Sequence, residues 1–189
     1  MRKLLVFGVL ILFVFAGGGI LFARSLNAPA YRGPVTDHFD GTVFRNFEPV
    51  ALPSLRRGIR YFFSTDPSAW EDWRENPPAD EVVRRSKGLR ITFINHATTL
   101  LQLDSLNILT DPMYSERSSP LSWVGPVRRH APGIPLKELP PIDLVILSHN
   151  HYDHTDLPSI DSLAAMHDPE FIVGPGCGAL LEEIGITRI

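Results

Sequence analysis

The chain's 189 residues leave room for one ordinary domain plus an appendage. Hydrophobic residues make up 44% and charged residues 21%, a globular composition, and a net charge of -3 argues against a nucleic-acid partner. The single cysteine, Cys177, excludes an internal disulfide and any cysteine-rich zinc module.

Arg2 and Lys3 precede an uncharged run from Leu4 to Ala23, which Arg24 closes. At 1.5 Å rise per residue this run spans about 30 Å, the hydrocarbon thickness of a bilayer. A cleaved signal peptide has a shorter apolar region, roughly 7–15 residues, and a small-x-small site. No clean site follows Ala23, so residues 1–24 read as an uncleaved transmembrane anchor, with a signal peptide as the alternative. The basic pair favours a cytoplasmic N-terminus, although Arg24 weakens the asymmetry.

Residues 25–88 form a proline-punctuated lead-in rich in aromatic residues, among them Tyr31, Phe39, Phe44, Phe47, Tyr61, Trp70 and Trp73. That is too aromatic for a disordered linker and suits an extended arm packed on a domain, with a short helix near 54–63. After Gly88 the texture changes, and 89–189 read as one domain. Strands are predicted over Leu89–Asn95, Thr99–Leu103 and Asn107–Thr110, with Asp104-Ser105 as a tight turn between the last two. Residues 112–141, dense in proline and glycine, read as a long loop of the functional kind. Ile142–Ser148 reads as a buried strand. Thr155 or Asp156 caps a helix running to about His167 with Pro158 in its first turn. Glu170–Val173 is a strand, Gly176–Ile184 a short helix ended by Gly185, and Thr187–Ile189 the start of a strand.

The chemistry concentrates in Ser148–His154, SHNHYDH, which holds three of the chain's seven histidines. It lies just after a buried strand and before a helix, where polar side chains converge without disturbing the core. Alternate residues of a tight loop share a side, so His149 and His151 pair naturally on one metal, while Asp153 and His154 serve a second. Imidazole and carboxylate both suit zinc. Two metals about 3.5–4 Å apart can hold a hydroxide at neutral pH and stabilise an in-line displacement. Surface histidines on a polar loop are the bland alternative, but His-x-His-x-Asp-His after an apolar strand is too specific for it.

This motif matches the signature of the metallo-β-lactamase superfamily. Together with FINHATT (93–99), LTDP (109–112), SERSSPLSWVGPVRRHAP (115–132) and ELPPIDLVILSHNHYDHTD (138–156), it resembles the N-acylphosphatidylethanolamine-hydrolysing phospholipase D family, over about residues 31–189. The resemblance implies an α/β fold, the N-terminal half of an αββα sandwich preceded by a transmembrane helix, and a two-zinc (Zn2+) hydrolase. His149 and His151 would bind the first zinc and Asp153 and His154 the second, the latter two also in catalytic roles. Asp111 would support the metal site, with a plain turn before Pro112 as the alternative. His96 either lines the site or makes a structural hydrogen bond at a strand end. His130, beside Arg128 and Arg129, could meet a phosphate, though loop arginines are more often solvated. His38, His167 and Cys177 read as structural.

The implied reaction is phosphodiester hydrolysis, most specifically cleavage of N-acylphosphatidylethanolamine to N-acylethanolamine and phosphatidate. The alternatives are a lactonase-like hydrolase of the same fold, or a catalytically incomplete membrane-anchored fragment. The implied partners are a phospholipid substrate, the membrane and a second copy in a homodimer. The implied location is a bacterial inner membrane, with the domain facing the periplasm or outside. Complete members supply three further ligands beyond the equivalent of Ile189, a histidine, a bridging aspartate and another histidine. The chain is therefore expected to carry four of seven ligands, to be incomplete at its C-terminus, and to leave one apolar sheet face open.

Overall fold

The structure, a computed structural model, describes residues 30–48, 54–64 and 81–189. The expected anchor at 1–24 lies outside them, as does much of the lead-in, including Trp70 and Trp73. Among the described residues no helix is long and apolar enough to cross a membrane.

The elements are α1 (Leu55–Ser64), β1 (Leu89–Asn95), β2 (Thr98–Leu103), β3 (Leu106–Thr110), a 3₁₀ turn (Leu136–Glu138), β4 (Leu144–Leu147), α2 (Leu157–His167), β5 (Glu170–Val173) and α3 (Gly178–Glu183). The strands form one mixed sheet in chain order, with β1–β2–β3 antiparallel and β3–β4–β5 parallel. Two tight hairpins make the antiparallel half. Asp104 and Ser105 both take positive φ, at 45° and 74°, the twist a two-residue hairpin loop needs. His96 and Ala97 connect β1 to β2, since Asn95 pairs with Thr98, and His96 also takes a positive φ of 40°. The parallel half needs crossovers, which the 112–141 loop and α2 provide.

The core lies on one face of the sheet. Leu100, Leu109, Val145, Leu147 and Phe171 are buried there with Ile160 and Leu163 of α2 and Leu181 of α3. The opposite face is also apolar but open: Leu89, Ile91 and Phe93 of β1 are 63%, 60% and 60% exposed, and Leu103, Leu106 and Ile172 share that exposure class. A second sheet over this face is absent among the described residues.

A polar seam ties the lead-in to the sheet end farthest from the histidine motif. Arg85 makes a two-pronged ion pair with Asp143, which also accepts the Asn107 N–H at 2.8 Å. Buried Asn107 donates to the Arg84 and Pro141 carbonyls, and buried Gln102 to the Val83 carbonyl. Farther upstream, Tyr31 packs on Phe39 and Phe44 with ring centroids 5.0 and 5.3 Å apart. Tyr31 also lies against Gly176, where φ is +90° and an added Cβ would come 3.2 Å from Tyr31 Cβ. Tyr31 and residues 83–85 of the lead-in thus contact the domain, whereas Leu55 and Ile59 of α1 are exposed, at 80% and 51%.

Three expectations change. The 112–141 segment is more ordered than a plain loop: Arg117 bridges Val127, and Ile134, Leu139 and Ile142 are buried. Thr187–Ile189 forms no strand, although the Arg188 carbonyl accepts the Phe171 N–H. Thr155 does not cap α2. The cap position is Asp156, whose carbonyl accepts the Ile160 N–H while its carboxylate is used elsewhere.

Candidate metal centre

The sheet's geometry brings three segments to one end. β3 ends at Thr110, so Asp111 follows it directly. β4 runs parallel to β3 and ends at Leu147, so Ser148–His154 emerge beside Asp111. The β1–β2 hairpin delivers His96 to the same end.

Asp111 is 6% exposed, and its φ of 37° lies in the left-handed region, where aspartate is better tolerated than bulkier residues. Its carboxylate accepts the Ser148 N–H and the Ser148 hydroxyl, both at 2.8 Å. His154 Nδ1 lies 2.9 Å from Asp111 Oδ2, which leaves Nε2 facing away from this anchor. A carboxylate on one ring nitrogen is how proteins fix a metal-binding imidazole, by setting its tautomer and orientation.

His154 Nε2 approaches Asp153 Oδ2 at 3.6 Å, and His96 Nε2 reaches the same oxygen at 3.0 Å. His96, Asp153 and His154 offer ligand atoms that all lie within 4.8 Å of one another. Two imidazoles and a carboxylate are a donor set that fits a divalent ion such as zinc. Burial works against the Asp153 carboxylate, but its own backbone N–H, the His154 charge and the His96 hydrogen bond and charge outweigh this. The carboxyl is held below its ordinary range. It is thus anionic at neutral pH, the form a cation needs.

His149 and His151 stand as a ring pair, centroids 4.5 Å apart, and the His149 ring is 4.2 Å from that of His154. His149 Nδ1 lies 2.9 Å from the Ser148 hydroxyl, which links it through Ser148 to Asp111. Thr155 donates to the His149 carbonyl at 2.7 Å and closes the motif's turn. All four motif residues therefore gather at one site, but the tight donor group takes His96 with Asp153 and His154 and leaves out His149 and His151. His130 lies outside the donor group but lines the cavity beside it, its Nδ1 3.0 Å from the Ala131 carbonyl.

Two participants carry weaker sequence signals. Ser148 immediately precedes the first histidine but belongs to no ligand spacing, and only the fold shows that it bridges Asp111 and His149. Asp156 reads as a helix cap. Its carboxylate in fact accepts the Ser115 N–H and hydroxyl at 2.9 and 2.8 Å, the Tyr114 N–H at 3.2 Å and the Ser159 hydroxyl. This hub fastens the loop after β3 to the helix after the motif.

A cavity of about 320 Å³ opens beside the centre. His96 and Asp153 line it, together with Met113, Val127, Arg128 and Arg129. His38 and His167 lie apart from it. His38 packs on Phe47, and burial pushes the His167 imidazole below its ordinary range. Burial pushes the Cys177 thiol up, which makes it a poorer nucleophile.

Comparison with known proteins agrees with the motif. A family described as the beta-lactamase superfamily domain matches residues 106–188. An uncharacterized protein of Mycobacterium tuberculosis is 42% identical over 172 residues, covering 88% of this chain and 45% of the relative. The N-acyl-phosphatidylethanolamine-hydrolyzing phospholipase D 1 of Caenorhabditis elegans is 36% identical over 143 residues, 68% of this chain and 40% of that protein. A metal-dependent hydrolase of Koribacter versatilis is 27% identical over 106 residues, 54% of this chain and 39% of that one. The chain spans less than half the length of these relatives. Over residues 106–188 the chain is thus similar to the beta-lactamase superfamily domain, and over part of its length it resembles the N-acyl-phosphatidylethanolamine-hydrolyzing phospholipase D of the nematode.

Proposed function

We propose that the chain contributes part of a zinc-dependent phosphodiester hydrolase, with N-acylphosphatidylethanolamine as substrate. The observation that carries this reading is the convergence of His96, Asp153 and His154 on one another, with His154 anchored by buried Asp111. His149 and His151 would hold a first ion, and Asp153 and His154 a second. Bound there, divalent ions polarise phosphoryl oxygens and offset charge developing on them.

The chain's own residues have distinct tasks. Asp153 and His154 bind, Asp111 and Ser148 orient His154 and His149, and His96 holds the Asp153 carboxylate in place. The cavity receives the diester. In the reaction a water oxygen bonds to phosphorus and the bond from phosphorus to the ethanolamide oxygen breaks. One water proton ends on that oxygen, giving N-acylethanolamine and phosphatidate. The same reading makes the sheet the N-terminal half of an αββα sandwich. It adds a membrane anchor at 1–24 in a bacterial inner membrane with the domain outside, and a homodimer. The similarity to the nematode phospholipase D supports the substrate, and an anchor would keep the protein at the lipid surface.

Elemental analysis of the full chain beside a His149→Ala/His151→Ala variant tests the centre. About two zincs per chain, falling by at least about half in the variant, is the expected result. Zinc content unchanged in the variant would overturn the assignment. Release of N-acylethanolamine from vesicles of N-acylphosphatidylethanolamine tests the substrate, and release of a lactone's hydroxy acid instead would favour the lactonase alternative.

A further inference from the structure

The hairpin-like segment from Glu116 to Arg128 forms a wall of the cavity. Arg117 bridges Val127, the Ser118 N–H reaches the Pro126 carbonyl at 3.0 Å, and the Arg128 N–H reaches the Glu116 carbonyl at 2.8 Å. This pairing fixes the backbone at Arg128, which lines the cavity together with Ser118, Pro126 and Val127 of the same segment. There Arg128 shares the lining with His96 and Asp153.

Arg128 is an under-used cation. Its Nη1 donates to the Tyr114 carbonyl at 3.2 Å, but its Nε is buried and has no hydrogen-bond partner among the described residues. Glu116 and Asp156 attract its charge, yet neither carboxylate comes within ion-pair distance among the described residues. Asp156 is instead occupied by Tyr114, Ser115 and Ser159. A half-buried guanidinium is normally matched by a carboxylate or phosphate in a two-pronged bond, since an unpaired buried charge is costly. Arg128 lines the cavity, and the apolar Met113 and Val127 that line it too would flank the substituents of an esterified anion.

We propose that Arg128 is a specificity-determining residue that binds the phosphate-type anionic group of a ligand in the cavity that His96 and Asp153 also line. The proposal depends on the preceding reading only in taking this cavity as the substrate site. Anion binding by Arg128 needs no metal, so its test can be separated from that of the zinc centre.

The full chain, stripped of metal with a chelator, would be titrated calorimetrically with inorganic phosphate and with dibutyl phosphate, beside Arg128→Gln and Arg128→Lys variants. The expected result is a loss of at least about tenfold in affinity in Arg128→Gln and a smaller loss in Arg128→Lys, which keeps the charge but not the fork. Tighter binding of dibutyl phosphate would assign the group to a diester, and tighter binding of inorganic phosphate to the free ion. Affinity unchanged in Arg128→Gln would overturn the proposal even if the chain binds zinc. Anion binding that requires Arg128 in a chain without zinc would uphold it while removing the hydrolase reading. Should Arg128→Gln fail to fold, phenylglyoxal labelling of the unmodified chain, read by mass spectrometry, decides the matter. Phosphate should slow modification of Arg128 several-fold relative to exposed Arg45, and equal protection or none at Arg128 would reject the assignment.

Discussion

His154 and Asp111 are locked together: the imidazole Nδ1 lies 2.9 Å from a carboxylate oxygen that also takes the Ser148 hydroxyl. Forty-three positions separate them in the chain, yet the parallel pairing of β3 with β4 sets them side by side. Asp111→Asn keeps the shape and tolerates the left-handed backbone but removes the charge. Zinc affinity, measured by competition with a chromophoric chelator, is expected to fall about 10- to 100-fold. An unchanged affinity would show that Asp111 only shapes the turn.

Ser148→Ala removes the hydroxyl that joins Asp111 to His149 but leaves the Ser148 N–H bond to Asp111 intact. The drop in zinc affinity should therefore be smaller than that of Asp111→Asn, on the order of a few-fold. A larger drop in the same competition titration would place the serine, not the aspartate, at the head of the network.

The Arg85–Asp143 pair predicts an acid-limb effect on stability. The Arg85 hydrogen bonds, against some opposing burial and with help from the Asn107 N–H and the Arg85 charge, hold the Asp143 carboxyl below its ordinary range. A depressed folded-state value means stabilisation that is present above the unfolded value, about 3.9, and lost as pH falls through the folded value. Both side chains are about one-third exposed, at 33% and 34%, so screening trims the pair's worth. Arg85→Gln should lower stability at neutral pH by roughly 1 kcal/mol and flatten the acid limb of a urea-unfolding series. An acid limb as steep as in the parent would exclude Asp143 as its source.

The open sheet face predicts self-association without a folding role. Ile91 and Phe93 are well exposed on it, whereas Leu109 is fully buried on the other face. Ile91→Thr/Phe93→Thr should reduce association in sedimentation velocity with a small change in melting temperature. Leu109→Ala should cost about 2–5 kcal/mol. Strong destabilisation by the threonine pair would mean that this face is packed in solution.

Thr155→Val deletes the hydroxyl bond to the His149 carbonyl that closes the motif's turn. A loss of about 1 kcal/mol is expected, a melting point lower by roughly 2–4 °C for a chain of this length. No shift in calorimetry would mean that the turn holds without it.

Much of this architecture could be read directly from the chain. The apolar runs marked β1 and β2, Asp104-Ser105 marked the hairpin from β2 to β3, and Thr155 or Asp156 with Pro158 marked the start of α2, because these are local backbone preferences that act over a few residues. The His149–His154 spacing likewise announced metal chemistry, since ligands from one loop need no distant partner to be recognised. What the sequence could not decide was pairing at a distance. His96 joins Asp153, Asp111 anchors His154, the carboxylate of the cap residue Asp156 fastens Ser115, and Arg128 lines the cavity only because one mixed sheet brings its strand ends and loops to a common edge. Side-chain roles across 40 or more residues depend on strand order and register, which local propensity does not encode. Those partnerships therefore belong to the tertiary structure alone.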